Sequence, residues 1–255
     1  MSWWIPDYEP SDHEQIVETL YAEVDSGERK PLSNQTTLFI CFTNRCGSNF
    51  LAAALASTGS VKPAREYLNH PMIRRRSERL GIVSFDGYLR QIAEEFTHKG
   101  ILTLKAGLRQ LYYLAKLGFI GELLPNPRFV HIERNDVVAQ AVSWVLAVQS
   151  GQWMSSQEAG EGRPQYDFEA IDDRVTAILE ENAAFKAFLG RNGCPAEFVR
   201  YESLRRDPTG VIRDLTEALG LGQAEYHADR IKIESQSSDI NAEWKMRYLD
   251  EVSTA

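Results

Sequence analysis

The sequence has few cysteines, no long apolar run and no excess of positive charge. Its 255 residues include only three cysteines, an odd number without CxxC or metal-ligand spacing, and this favours a reduced, intracellular protein. No apolar stretch approaches the roughly 18 residues that cross a bilayer, and the N-terminus lacks the basic and then apolar pattern of a signal peptide. We therefore expect a cytoplasmic protein without a transmembrane segment.

The charge balance disfavours a general nucleic-acid binder. Lysine and arginine number 28 against 36 aspartates and glutamates, which gives a formal net charge of −8. The apolar fraction of 43% and the charged fraction of 25% are those of an ordinary globular protein. No cluster of His, Cys and Asp resembles a ligand set, so we expect no metal. A local basic pocket remains compatible with the acidic total.

The length fits one large domain or two small ones. We expect a single domain over residues 1–255, with an N-terminal arm (1–35), an α/β core (36–222) and a C-terminal segment (223–255). The arm is rich in aromatic residues and contains a predicted helix over 11–24. This helix packs either on the core or on a partner subunit.

Short apolar segments alternate with helical patterns along the core. The predicted strands are 38–42, 101–105, 128–133 and 197–201. The predicted helices are 49–57, 85–98, 108–117, 136–149, 167–191 and 209–219. This alternation indicates a mainly parallel central sheet flanked by helices. Residues 150–165, rich in glycine and proline, predict a long loop of the kind that serves as a lid or binding segment.

The stretch 38–55, LFICFTNRCGSNFLAAAL, predicts a strand, a polar loop and a helix. Free N–H groups and the positive end of the helix dipole then point at the loop. Arg45 adds a permanent cation, and Ser48 and Asn49 add side-chain donors. The pattern favours a phosphate or sulfate site, although a plain structural turn uses the same residues. It is not a Walker A loop, because the second glycine and the lysine are absent.

Polar or aromatic residues lie at the carboxyl end of each predicted strand, where parallel sheets bind ligands. They are Arg45, Lys105, Arg134 and Tyr201. An arginine after a strand often forms only a surface ion pair. Together with the first loop, however, Arg134 and Ser143 suggest one ligand with two separated anionic groups, such as an adenine nucleotide phosphorylated on both sugar hydroxyls.

A basic run occupies residues 71–81. It contains Arg74, Arg75, Arg76 and Arg79. A solvated helix face is the simpler interpretation, and a phosphate or partner patch is the alternative.

Several of these segments resemble one family. FTNRCGSNFLAAAL, PAREYLN, FVHIERNDVVAQAVSWVLAVQSGQW and VRYESLRRDP are similar to bacterial sulfotransferases related to trehalose 2-sulfotransferase. The resemblance covers roughly residues 38–208 and extends weakly into QSSDINAEWKMRY. It implies a P-loop NTPase-like sulfotransferase fold, often homodimeric. It also implies transfer of a sulfuryl group from 3′-phosphoadenosine 5′-phosphosulfate (PAPS) to a hydroxyl of a carbohydrate or glycolipid.

The resemblance assigns donor-binding roles by motif position. The loop residues that would hold the 5′-phosphosulfate are Arg45, Cys46, Gly47, Ser48 and Asn49. Arg134 and Ser143 would bind the 3′-phosphate. Phe50 and Tyr201 stand where the wider superfamily contacts adenine.

The catalytic roles differ from those of animal sulfotransferases, which place a catalytic His soon after the second strand. Here Lys105 is followed by Ala-Gly and no His. The resemblance implies that Glu66 is the general base and that Arg45 and Lys105 stabilise the leaving phosphate. Without the resemblance, Glu66 would be taken as a helix-capping or surface carboxylate. Tyr67 and Trp153 join Glu66 as candidates for acceptor binding.

Two other functions remain open from the sequence. A P-loop small-molecule kinase would need a Walker lysine and an Mg²⁺-binding Asp at the third strand, and neither is evident. A non-catalytic nucleotide-binding relative would keep the fold and lose turnover.

Overall fold

A four-stranded parallel sheet forms the centre of the protein. The computed structural model describes residues 3–21, 23–28, 30–153, 164–222, 224–231 and 239–254. The strands are β1 (Thr36–Phe42), β2 (Ile101–Ala106), β3 (Pro127–Glu133) and β4 (Ala196–Arg200). Their order is β2-β1-β3-β4, and each neighbouring pair is parallel. The predicted α/β class, with a mainly parallel sheet, is confirmed.

Helices cover both faces of the sheet. They are α1 (Asp12–Leu20), α2 (Ser48–Ser57), α3 (His70–Leu80), α4 (Phe85–Phe96), α5 (Leu108–Lys116), α6 (Phe119–Glu122), α7 (Val137–Ser150), α8 (Phe168–Arg191), α9 (Tyr201–Arg206), α10 (Pro208–Ala218) and α11 (Asp239–Thr254). No helix in the described ranges is both long enough and apolar enough to span a bilayer.

Side chains of β1 alternate between two apolar layers. Phe39 and Cys41 join the core formed with α1, α4, α5 and α8, and the Phe39 ring stacks on Phe129 of β3 at 5.3 Å between centroids. Leu38 and Ile40 join the core formed with α2 and α10. Because both faces of β1 are buried, this strand is a nearly continuous apolar run, which is why its position was readable in the sequence. The edge strand β4 has only Val199 buried.

The N-terminal arm packs on its own core. Val17 of α1 and Tyr21 are buried there, and the Trp3 indole donates a hydrogen bond to the carbonyl of Ile120 at 3.1 Å. Packing on the chain itself was one of the two alternatives that the sequence left open. The predicted helix over 11–24 is shorter than expected, because Tyr21 adopts an extended conformation.

The C-terminal segment contains a helix that the sequence did not predict. Only Trp244 and Tyr248 of α11 are buried, where they join a third apolar cluster with α7 and α8. Two buried residues are too few to make a clear helical period. Of the predicted loop 150–165, residues 154–163 lie outside the described residues, as do residues 236–238 of the QSSDIN segment.

Candidate active site

The parallel register places the carboxyl ends of the strands along one edge. Cys41 pairs with Ala106, Phe42 with Ile132 and Glu133 with Arg200. The loops after these strands therefore meet above the sheet, as the sequence predicted.

The loop between β1 and α2 is built to present its backbone. Arg45 and Gly47 have positive φ angles of 65° and 94°, and α2 begins directly after Gly47. The first-turn N–H groups of α2 therefore point back over the loop. Gln140 of α7, fully buried, donates from Nε2 to Thr43 Oγ1 at 2.8 Å and to the Asn44 carbonyl at 2.7 Å. This side chain fixes the loop to α7. The sequence had identified Gln140 only as part of the segment that carries the family resemblance, without a role of its own.

Tyr201 lies directly against Gly47. A Cβ atom on Gly47 would lie 2.2 Å from Cδ2 of Tyr201, so only glycine fits this contact. The Arg134 guanidinium lies over the same ring, 5.3 Å from its centroid. Tyr201 therefore links the loop to the arginine that follows β3.

Arg45 and Ser143 are in direct contact. Arg45 Nε donates to the Ser143 hydroxyl at 2.9 Å, and Nη1 donates to the carbonyl of Trp153 at 2.8 Å. Burial, and then the nearby positive charge of Arg134, lower the pKa of Arg45. Arg45 and Ser143, which the resemblance assigns to opposite ends of the donor, are thus in direct contact, and Arg134 is near enough to Arg45 to act on its charge.

Arg134 has a buried nitrogen, Nε, without a hydrogen-bond partner among the described residues. A buried donor left unpaired is unfavourable by about 1–3 kcal/mol, and an anion at this position would remove that penalty.

Lys105 joins Glu66 to the first turn of α2. Its Nζ lies 2.7 Å from Glu66 Oε1 and 2.7 Å from Asn49 Oδ1, and 4.4 Å from the ring centroid of Phe42. The Lys105 side chain is 2% exposed, whereas the Glu66 side chain is 43% exposed. The ammonium group is therefore enclosed between the first turn of α2 and a carboxylate that solvent can reach.

The loop that carries Glu66 is held on both sides of that residue. The Arg65 carbonyl accepts from the Lys105 N–H of β2 at 3.4 Å, and the Tyr67 carbonyl accepts from the Tyr88 hydroxyl at 2.7 Å. Gln110 donates from Nε2 to the Leu68 carbonyl at 3.0 Å. Glu66 consequently has a defined backbone position beside the end of β2.

Three other predicted residues are placed differently from one another. The Tyr67 ring is buried and stacks on Phe96 at 4.4 Å between ring centroids. The structure therefore does not bring Tyr67 to the site, because its ring packs in the apolar core and is not available to stack on a sugar. The Cys46 thiol is also buried, which raises its pKa to about 11 and leaves only its backbone for a ligand. Phe50, in the first turn of α2, is partly buried and packs against the apolar core on that face of the sheet.

Carboxylates fix the start of α7 next to Arg134. Glu202 accepts from the N–H groups of Asn135 at 3.0 Å and Asp136 at 3.3 Å, and Asp136 caps α7 through the Ala139 N–H. Although burial opposes the change, hydrogen bonds from Lys245, 2.6 Å away, and from Ala139 lower the pKa of Asp136. Sequence reasoning assigned no role to Glu202 or Lys245. Glu202 lies inside the VRYES segment, which was the available signal.

A cleft of about 330 Å³ opens on the α8 side of Arg134. It is lined by Glu133, Asn182, Lys186 and Arg200 among others. Glu133 already pairs with Lys186 at 2.8 Å and with Arg200 at 2.5 Å, so these two cations are largely compensated. No three His, Cys, Asp or Glu side chains group as metal ligands within the described ranges.

Comparison with known proteins gives a family match and two relatives. The family model described as Stf0 sulphotransferase matches residues 108–251. Trehalose 2-sulfotransferase of Mycolicibacterium smegmatis is 32% identical over 124 residues, which is 48% of this chain and 46% of the relative. The enzyme of the same name from Mycobacterium tuberculosis is 29% identical over 127 residues, 49% of this chain and 47% of the relative. The matched part is thus less than half of either relative.

A solved sulfotransferase structure from Alicyclobacillus acidocaldarius is 16% identical to the chain. It matches with a TM-score of 0.49 over 86% of this chain and 93% of that one. The range matched by the family model includes Arg134, Ser143 and Tyr201 but begins after Lys105. Since more than half of its residues match the family model, the chain belongs to the Stf0 sulphotransferase family.

Proposed function

We propose that this protein is a sulfotransferase that moves a sulfuryl group from PAPS to a hydroxyl of a carbohydrate or glycolipid. One observation carries the proposal beyond family membership. Lys105 contacts both Asn49, in the first turn of the helix that follows the anion loop, and Glu66, an accessible carboxylate. A cation in this position can interact both with the negative charge of the donor and with the carboxylate that faces the acceptor.

The residues fit a donor with two anionic groups. PAPS, when bound, supplies the sulfuryl group and carries phosphate at both ends of its ribose. Arg45 and the N–H groups of Ser48 and Asn49 would hold the 5′-phosphosulfate. Arg134 and Ser143 would hold the 3′-phosphate, and the unpartnered Nε of Arg134 supports this assignment. The contact between Arg45 and Ser143 makes the two subsites neighbours.

Glu66 would act as general base toward the acceptor hydroxyl. Sulfuryl transfer should resemble phosphoryl transfer, with in-line geometry and charge developing on the leaving oxygen. Lys105 and Arg45 would stabilise that charge. As Glu66 takes up the proton, its attraction for Lys105 falls, and the ammonium group becomes available to the leaving oxygen. The ion pair would thus couple proton removal to departure of the leaving group.

A carbohydrate acceptor is proposed by analogy with the relatives, whose names specify trehalose. Homodimer formation and a cytoplasmic location remain predictions from the sequence.

The test is transfer of ³⁵S from labelled PAPS to a panel of free sugars and glycolipids. We expect transfer to a hydroxyl acceptor, together with binding of adenosine 3′,5′-bisphosphate measured by calorimetry. Binding of ATP with Mg²⁺ in preference to the bisphosphate would favour the kinase alternative. Bisphosphate binding without any transfer would indicate a non-catalytic relative.

A further inference from the structure

The charge of this acidic protein is unevenly distributed. Residues 61–83 contain six of the 28 basic residues but only two of the 36 acidic ones, a local formal charge of +4 against −12 for the rest of the chain. This segment comprises the loop that carries Glu66 and the whole of α3.

One side of α3 is anchored in the protein. Ile73 and Ser77 are buried, and the Ser77 hydroxyl lies 2.6 Å from the hydroxyl of Tyr21. Arg76 is also buried, pairs with Glu95 and donates to Gln91 at 2.8 Å. The anchoring leaves the remaining arginines of the helix on its outer side.

Five cations of the segment are exposed, and we call them the basic face. They are Lys62, Arg65, Arg74, Arg75 and Arg79. Within the described part of the chain, none of the five forms an ion pair. The buried Arg76 is the one that is neutralised. Lys62 donates to the carbonyl of Glu95 at 2.7 Å, and the pKa of the Glu95 carboxylate is lowered by the hydrogen bond from Arg76 and, less, by the charge of Arg79. The five cations of the basic face are nevertheless exposed to solvent.

Two large aliphatic side chains are exposed beside the basic face. Leu80, at the end of α3, is 44% exposed, and Val83, three residues later, is 78% exposed. A surface that combines arginines with exposed aliphatic side chains is suited to an anionic bilayer. The phosphate headgroups attract the cations, and the aliphatic side chains insert at the boundary between headgroups and acyl chains. A nucleic-acid backbone would meet the cations but would give Leu80 and Val83 no apolar surroundings.

The basic face adjoins the candidate catalytic carboxylate. Arg65 directly precedes Glu66, its carbonyl is bound to the end of β2, and α3 begins four residues after Glu66. We propose that the basic face, with Leu80 and Val83, docks the protein on an anionic lipid bilayer. Docking would bring Glu66 to the hydroxyl groups of glycolipid acceptors in that bilayer, and this part of the proposal rests on the proposed function.

The acidic remainder of the chain does not prevent such docking. At physiological salt, charges more than about 8 Å from the surface are largely screened, so the docked face dominates the interaction. Each Lys or Arg near an anionic bilayer strengthens binding on the order of fivefold. Binding should therefore be reversible and sensitive to salt.

The first test is sedimentation of the full chain with vesicles. In low salt we expect binding to vesicles of equimolar phosphatidylglycerol and phosphatidylcholine, and little binding to vesicles of pure phosphatidylcholine. In 500 mM NaCl, where the screening length is about 4 Å, we expect little binding to either kind of vesicle. The triple variant Arg74→Gln/Arg75→Gln/Arg79→Gln should bind about 100-fold more weakly. The matched control, Arg205→Gln/Arg206→Gln/Arg213→Gln, removes three exposed arginines from α9 and α10, next to the opposite edge strand of the sheet. It should bind like the wild type.

Equal binding to neutral and anionic vesicles would overturn the proposal. So would equal loss in the two triple variants, or binding of polyuridylic acid by this face without binding of vesicles. Val83→Ser adds no charge and therefore tests the apolar contribution separately; it should weaken the binding that remains in the triple variant.

A second test separates docking from catalysis. The Arg74/Arg75/Arg79 variant should keep wild-type turnover on a free sugar acceptor and lose turnover on a glycolipid in anionic vesicles. Vesicle binding with no sulfuryl transfer to any acceptor would refute the proposed function while supporting the docking surface. Equal turnover of wild type and variant on the vesicle-bound acceptor would refute the role of docking in acceptor use.

Discussion

Arg45 and Ser143 are 98 residues apart in the chain, and the Arg45 guanidinium donates to the Ser143 hydroxyl at 2.9 Å. The contact joins the loop after β1 to the middle of α7. Arg134 is close enough to lower the pKa of Arg45, in second place after burial. An anion bound in this region would therefore lie close to two arginines and to the hydroxyl that one of them contacts.

The Arg45–Ser143 contact predicts coupled effects on donor binding. Arg45→Met, Ser143→Ala and the double variant should form a non-additive cycle in the affinity for adenosine 3′,5′-bisphosphate, with a coupling energy of about 0.5–3 kcal/mol. Calorimetric titration measures it. A control cycle of Arg45→Met with Arg128→Ala, an exposed residue at the start of β3, should be additive. Additivity of the Arg45–Ser143 pair would show that the hydrogen bond has no bearing on the donor.

Arg134 is predicted to dominate binding of the 3′-phosphate. Arg134→Ala should weaken binding of adenosine 3′,5′-bisphosphate by about 2–4 kcal/mol, because it removes a partly buried charged donor. Arg128→Ala removes the same charge from the start of β3, the strand that Arg134 follows, and should leave affinity unchanged. An Arg134→Ala protein that binds the bisphosphate like wild type would be incompatible with the assigned site.

Glu66 is predicted to affect the chemical step and to spare the donor. Glu66→Gln should lower kcat by about 10²–10⁴ with little change in PAPS affinity, because the amide cannot accept the proton. Glu78→Gln, an exposed carboxylate on α3, is the control. Steady-state rates together with titration of the donor distinguish the two effects, and a parallel fall in both would contradict the division of roles.

Gly47 is predicted to be irreplaceable for two separate reasons. Gly47→Ala places a side chain at a φ of 94°, unfavourable by about 1–2 kcal/mol, and drives Cβ into the Tyr201 ring. Gly59→Ala has a similar φ of 72° and no atom within 4 Å of the added Cβ, so it isolates the backbone effect. Both variants should lose stability in urea unfolding, and only Gly47→Ala should also lose affinity for adenosine 3′,5′-bisphosphate. Equal donor affinity in the two variants would show that the Tyr201 contact is unimportant for binding.

The buried His131 predicts a loss of stability in acid. Burial lowers its pKa from 6.5 to about 4, so the folded state stays neutral while the unfolded chain takes up a proton below pH 6.5. The unfolding free energy should therefore fall by about 3 kcal/mol from this residue as the pH drops from 6.5 to 4.

Urea unfolding of wild type and His131→Leu at several pH values measures this contribution. The variant should show a shallower decline between pH 6.5 and 4 and the same behaviour above pH 7. His227→Gln changes a less buried histidine and serves as the control. Parallel curves for wild type and His131→Leu would rule out a neutral buried imidazole.

The strands and the edge that carries the site were predictable because their signals are local. β1 is recognisable in the sequence as a run of apolar residues that ends at a polar loop. Because the strands pair in parallel, Lys105, Arg134 and Tyr201 then lie at the same edge of the sheet. The helix α11 was missed because its two buried residues do not form a period that a local pattern can recognise. Tyr67 was a candidate for acceptor binding because it was predicted to lie in a loop, whereas the structure places it in a turn with its ring buried against Phe96.

Chain order and residue type were therefore sufficient for the fold class, for the strand, loop and helix over residues 36–57, and for placing the candidate polar residues at one edge of the sheet. They could not say that Lys105 spans Asn49 and Glu66, that Gln140 holds the loop, or that Arg45 meets Ser143. These contacts depend on how α2, α7 and the Glu66 loop settle on the sheet. That arrangement results from burying two apolar faces at once, a constraint that involves the whole chain and leaves no mark in any one segment.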